Sequence, residues 1–215
     1  LEFRRVLFRS VAYLPAISWL DEEQQQSYLD AFRELVLPQT SVLVGNHKTL
    51  TDFLLPDWDS ERPASARELA VAAGEHGATQ VLVTGISLPN QFVDNVLANP
   101  QGPITGEKFE RFEVNFVGAG DTLSSSLAAL MAVGAEPHEA VGEALAFLDQ
   151  SLDAGFRPGM GNVIPDRFFW ALPPEGEEGE ALADNPLAIA MPADDDEAEE
   201  EAPAEPTSRA PRRMH

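Results

Sequence analysis

Ser41-Val42-Leu43-Val44-Gly45 and Gln80-Val81-Leu82-Val83-Thr84-Gly85 are the two stretches on which the fold turns. Each is short, uncharged and rich in β-branched residues, the pattern of a strand buried on both faces. Between them Pro63 to His76 has helical spacing, with Leu69, Ala70 and Ala73 on one side and Gly77 as the stop. A strand, a helix and another strand imply a right-handed crossover and parallel pairing. Working outward, Val11-Ala12-Tyr13-Leu14 is an apolar run ended by Pro15. The helical spacing of Tyr28, Leu29, Phe32, Leu35 and Val36 predicts a helix from Glu22 to Val36, closed by Pro38. That makes a second strand–helix–strand unit and an α/β class. Towards the carboxyl end, Gln91 to Leu97 and Phe109 to Phe116 read as two strands of an antiparallel edge hairpin joined through Asn99-Pro100-Gln101-Gly102-Pro103. Helices are predicted over Thr122 to Val133 and Pro137 to Leu152, with Leu123, Leu127, Leu130 and Met131 on one face of the first, and a last strand over Ile164 to Trp170.

The chain has 215 residues, of which 36 are acidic and 14 are Lys or Arg, for a formal charge of -22. Such a surface repels phosphate backbones, and no basic patch interrupts it, which excludes nucleic-acid binding driven by net charge. There is no cysteine. That excludes a disulfide scaffold, thiol catalysis and Cys-ligated zinc, and suits a reducing cytoplasm. No uncharged apolar run reaches the ~18–20 residues needed to cross a bilayer, so no membrane partner is expected. Residues 1–10 (Leu-Glu-Phe-Arg-Arg-Val-Leu-Phe-Arg-Ser) are basic, begin without Met and read as a non-native or read-through leader. Residues 174–215 change composition: thirteen acids and no Lys or Arg lie between Glu175 and Glu205. This is the signature of a self-repelling disordered tail. The domain is expected over 11–173.

Chemistry concentrates in Val117-Gly118-Ala119-Gly120-Asp121-Thr122. Two glycines flank one small residue just before a helix. Missing side chains let a ligand approach the backbone, and the first amides of a helix point at it with the helix dipole behind them. This suits a phosphate or a developing phosphoryl oxyanion. A carboxylate facing bound phosphates would be repelled, so Asp121 makes more sense facing the incoming hydroxyl of a substrate, whose proton it accepts. The tetrapeptide read alone is equally compatible with a plain helix start and Asp121 as a capping acid. Other motifs are weaker. Gly45-Asn46-His47-Lys48-Thr49 imitates the end of a Walker loop without its upstream glycine, and Lys48 reads as a surface or loop residue. Gly159-Met160-Gly161 reads as a turn. His47, His76, His138 and His215 have no zinc spacing. Ser124, Ser125 and Ser126 read as close-packing helix residues, and Trp19, Trp58 and Trp170 as packing residues.

The order of a strand ending near Asn46, a strand ending in Thr84-Gly85, a hairpin and then Gly118-Ala119-Gly120-Asp121 resembles the carboxyl part of the ribokinase-like kinases. The likeness covers about Val11 to Leu152 and is nearest the branch of hydroxymethylpyrimidine/phosphomethylpyrimidine kinases and pyridoxal kinases. It implies a three-layer sandwich with a mostly parallel central sheet and an antiparallel edge hairpin, amino-terminally truncated. It implies Asp121 as catalytic base, Gly118, Ala119 and Gly120 as anion hole, and Asn46, Thr84 and Gly85 as nucleotide-binding residues. Asn46 would lie near the phosphates and Mg2+. ATP and Mg2+ are the implied cofactors, with the metal ligands left open. The implied reaction is ATP-dependent phosphorylation of the hydroxymethyl or phosphate group of a thiamine-precursor pyrimidine, with pyridoxal the alternative substrate. A homodimer is among the assemblies the likeness allows. Phe156 to Gly161 and Ile164 to Trp170 resemble endings of thiamine-pathway members, which favours the pyrimidine. Two positions depart from the branch. Thr49 stands where a Glu is usual, with Asp52 out of register, and Leu14-Pro15-Ala16 replaces an Asp-Pro-Val. These departures favour an alternative of another class, a non-catalytic nucleotide-binding remnant of the fold.

Overall fold

The computed structural model describes residues 9–171. The expectations for residues 1–8 of the leader and for the acidic tail lie outside the described residues. Arg9 bonds to Ala135 O and Glu136, both at 2.7 Å. Ser10 O accepts from the amides of Ser41 and Val42 at 3.0 Å.

The elements in chain order are β1 (Val11–Leu14), α1 (Glu22–Ala31), β2 (Val42–Asn46), α2 (His47–Leu54), α3 (Ala66–Glu75), β3 (Gln80–Ser87), β4 (Phe92–Asn99), β5 (Gly102–Glu110), α4 (Ala119–Ala132) and α5 (Pro137–Asp153). α1 continues through one π turn, Phe32–Val36, and a 3₁₀ turn, Leu37–Gln39, before the chain enters β2. The sheet order is β1-β2-β3-β4-β5; β1, β2 and β3 are parallel, and β4 and β5 form an antiparallel edge hairpin.

Strand periodicity builds the three layers. Leu14, Leu43, Val81, Val83 and Ala98 point to one face, where they pack with Phe32, Leu50, Phe53, Leu69 and Ala73 of the first three helices and the π turn. Val42, Val44, Leu82 and Leu97 point to the other, against Leu123, Leu127 and Met131 of α4 and Val141, Ala144 and Leu145 of α5. Neighbouring residues serve opposite faces because strand side chains alternate. Each fully buried Leu or Val contributes about 1.5–3 kcal/mol through lost water contact. α3 starts with a capping box in which Ser65 and Glu68 satisfy each other's backbone amides. Gly77 ends it at φ +98°, where a Cβ would come within 2.8 Å of Pro38 Cα.

Three expectations need correction. The strand expected at Phe109 to Phe116 begins earlier, at Gly102, and ends at Glu110. The Asn99 side chain accepts from the amides of Gln101 and Gly102, at 3.0 and 3.1 Å, so the turn closes in two residues. The ladder stops where Glu110 pairs with Phe92: one more bond follows, Arg111 N to Gln91 O, but Asn90 and Gln91 have positive φ and leave the extended path. Residues 111–117 are therefore a loop. Second, Ile164 to Trp170 is not a strand. Within it Ile164 makes a single bridge to Phe156, as Val163 just before it does to Phe116; then Pro165 removes an amide and a 3₁₀ turn forms over Phe169–Ala171. Phe168 and Trp170 are exposed there. Third, Lys48 is on the surface, as expected, but in a helix rather than a loop: it lies in α2, whose cap is Asn46 and whose apolar face is Leu50, Phe53 and Leu54.

Candidate active site

α4 begins beside the carboxyl end of β1, the edge of an open α/β sheet where ligands bind. Gly118 is its N-cap, at φ +88°, a conformation that side-chain-bearing residues rarely adopt. It offers no capping side chain, and among the described residues no acceptor meets the amides of Ala119, Gly120 and Asp121. The next amide, Thr122, is satisfied by Gly118 O at 2.9 Å. The first turn of this 14-residue helix therefore presents three free donors, the amides of Ala119, Gly120 and Asp121, a set shifted by one residue from the expected Gly118, Ala119 and Gly120.

Asp121 is exposed, and its carboxylate makes no hydrogen bond or ion pair among the described residues. It is not a capping acid in the geometric sense. Its charge reaches Tyr13 of β1: burial first, and then Asp121, push the phenol above its usual value. The phenol end of Tyr13 lies against Gly120, and a Cβ on that glycine would overlap it. Arg167 holds the other side. Its Nε donates to Thr122 Oγ1 at 2.9 Å, and its Nη2 lies 3.2 Å from where a Gly118 Cβ would stand.

A cavity of about 490 Å³ reaches this helix end at Ala119. Its apolar wall comes from Phe109, Phe112 and Phe116 and from Leu145, Leu148 and Leu152 of α5. Its polar floor is Asn46, Gly85 and Asn95. Asn46 caps α2 by accepting from Lys48 N at 3.0 Å, and its Nδ2 sits 2.7 Å from the Cβ position of Gly85. Gly85 makes room for it by adopting φ +68° at a bulge in β3. Buried Asn95 holds that bulge, accepting from Gly85 N at 3.1 Å and donating to Glu107 O at 3.4 Å. The predicted residues Asn46, Gly85 and Ala119 are therefore brought to one cavity. Thr84 is not: its hydroxyl donates to Gly45 O at 3.2 Å, away from the lining. Asp121, Gly118 and Gly120 sit at the helix end beyond the cavity's edge.

The sequence profile of the phosphomethylpyrimidine kinase family matches residues 21–166. The chain belongs to that family. Solved structures of similar fold include Bacillus subtilis pyridoxal kinase in an ADP complex, at 20% identity and a TM-score of 0.63, covering 75% of this chain and 61% of that one. Staphylococcus aureus pyridoxal kinase in complex with AMP-PCP and pyridoxal is 20% identical, with a TM-score of 0.59, covering 68% of this chain and 54% of that one. A candidate phosphomethylpyrimidine kinase from Bacteroides thetaiotaomicron is 19% identical, with a TM-score of 0.52, covering 68% of this chain and 49% of that one. The chain thus spans between about half and three fifths of the length of these relatives. No curated protein matches the sequence significantly.

In this phosphomethylpyrimidine kinase family chain four neighbours of the site escape sequence reasoning. Tyr13 was read only as part of an apolar strand, and nothing in its local sequence announces the distant Gly120. Arg111, Asn95 and Arg167 come to the site from the hairpin and the carboxyl segment, through contacts that span up to 45 positions. The one usable signal is Asn95 beside the apolar run Val96-Leu97-Ala98 of β4, since a buried amide needs partners.

Proposed function

We propose that this chain carries the nucleotide side of an ATP-dependent small-molecule kinase and that Asp121 is its catalytic base. One observation carries the reading: three unpartnered amides and one free carboxylate share the first turn of α4. Membership of the family supports it. Asn46, Thr84 and Gly85 are proposed as the nucleotide-binding set, Thr84 acting through the strand end that it ties to Gly45.

In this reading the aromatic and aliphatic wall takes the base of ATP, and the polyphosphate runs along Asn46 and Gly85 towards Ala119. The amides of Ala119, Gly120 and Asp121 donate to oxygens of the transferring phosphoryl group, in the place where negative charge develops. Asp121 accepts a hydrogen bond from the acceptor hydroxyl, orients it in line and takes its proton. Fixing both partners removes the entropy of bringing them together. The described residues include no group of three or more His, Asp or Glu able to hold a metal. They fit Mg2+ only as a cation borne by the triphosphate and its waters, where it neutralises phosphate charge. Asn46 and Asp121 are the side chains proposed to offer it oxygen atoms.

The proposed acceptor is hydroxymethylpyrimidine or its phosphate, on the thiamine-precursor route, in a soluble cytoplasmic enzyme. Pyridoxal is the second candidate. Thr49, at the position where the branch carries Glu, favours a different outcome, nucleotide binding without turnover. The test is a coupled ADP-release assay on the full gene product, with hydroxymethylpyrimidine, its phosphate and pyridoxal offered in parallel. ADP release that depends on a pyrimidine supports the proposal. Release with pyridoxal alone reassigns the substrate, and no release despite ATP binding supports the non-catalytic reading.

A further inference from the structure

The cavity beside α4 has an acidic rim. Glu110, Glu113 and Asp149 line it, and Arg111 is its only Lys or Arg among the described residues. The Asp149 carboxyl is already pushed up, by burial and then by the charge of Asp153. A triphosphate entering such a lining meets like charge close to apolar walls, where repulsion is weakly screened. A cation fixed on the protein would offset that repulsion beyond what Mg2+ on the triphosphate neutralises.

Arg111 is placed to be that cation. A second hollow, of about 470 Å³, adjoins the first and is lined by His47, Lys48, Pro63 and Ser87 among others. Asn46, Gly85, Val93 and Arg111 line both hollows. Arg111 therefore stands with Asn46 and Gly85 where the two hollows meet, and it also borders a further hollow with Asp149, Gln150 and Asp153 of α5. Arg9, Arg33, Lys48 and Arg62 are each paired with a carboxylate, whereas Arg111 has no such pair among the described residues. Its backbone is anchored: Arg111 N donates to Gln91 O at 2.6 Å, just where β5 ends. Arg67, Lys108, Arg157 and Arg167 also lack such a pair among the described residues, but of these five cations only Arg111 lines the cavity that Asn46, Gly85 and Ala119 share.

We infer that Arg111 is a ligand of the nucleotide's phosphates. Its planar, permanently charged fork offers five N–H donors to phosphate oxygens. The inference rests on the nucleotide reading of the cavity. It is tested by titrating the full chain with AMP-PCP and with adenosine, in the wild type, Arg111→Ala and Arg111→Lys. Arg111 is exposed, so both variants keep the fold. Arg111→Ala is expected to weaken AMP-PCP about 10- to 100-fold, the effect of one lost charge-assisted bond, with adenosine affinity unchanged. Arg111→Lys falls between, and added salt weakens AMP-PCP binding less in Arg111→Ala than in the wild type. Unchanged AMP-PCP affinity in Arg111→Ala, or an equal loss for adenosine, overturns the assignment while the nucleotide reading stands. A wild-type chain that binds neither compound overturns both.

Discussion

Asp121→Asn lowers turnover by roughly 10²–10⁴-fold, the usual worth of a positioned general base, and leaves AMP-PCP affinity unchanged. The amide side chain is nearly isosteric and still donates and accepts hydrogen bonds, but it cannot take the acceptor's proton. Three features of the site separate this result from a capping role. The carboxylate makes no bond to its own helix among the described residues, it is exposed, and its charge acts across the helix end on Tyr13. An acid in the first helical turn adds only about 0.3–1 kcal/mol through the dipole, so unfolding in urea should shift little. Steady-state kinetics and denaturation are run on the same preparation. A variant with full turnover and reduced stability would make Asp121 a helix-start residue and nothing more.

Gly120→Ala is expected to be the most damaging single change that leaves every polar group in place. Ala is ordinarily preferred to Gly in a helix by about 1 kcal/mol, so on propensity alone the variant would gain stability. Here the added methyl overlaps the Tyr13 ring, and overpacking of this kind costs about 1–3 kcal/mol. The strain is relieved only by tilting the first turn of α4 or pushing β1 away. Either movement carries the three free amides off target, so phosphoryl transfer falls with stability. The double variant Gly120→Ala/Tyr13→Ala should recover part of the stability, with a coupling energy of about 1–3 kcal/mol. Strict additivity of the two changes would show that the ring and the glycine do not press on each other.

The parallel half of the sheet was legible because its strands carry their own punctuation. Val42 to Asn46 and Gln80 to Ser87 are uncharged runs, and a capped helix separates them. The hairpin was half legible. Its turn was visible in Asn99-Pro100-Gln101-Gly102, but the register was not. Nothing local says that Asn99 closes the turn so tightly that β5 starts at once. Beyond Glu110, Phe112, Val114 and Phe116 alternate as strand residues do, yet they line a cavity. α2 was missed because Lys48, Thr49 and Thr51 dilute a short apolar face, and its cap Asn46 had already been given a ligand role. Both roles are compatible: one oxygen caps the helix, and the amide nitrogen turns to Gly85.

At the site, the glycine pair and Asp121 were readable because backbone exposure and helix initiation are local properties. The neighbours that shape them are not local. Tyr13 and Gly120 are more than a hundred positions apart, and they meet only because β1 and α4 pack on the same face of the sheet. Asn95 reaches Gly85 only through the antiparallel pairing of β4 with β3.

The central claim is that the first turn of α4 receives a phosphoryl group. Its most direct measurement is the amide NMR spectrum of the chain during titration with AMP-PCP. The account predicts that the Ala119, Gly120 and Asp121 amide signals move together and saturate with one affinity, with Asn46 and Gly85 following. Saturating nucleotide that shifts other signals and leaves those three amides where they were would contradict it.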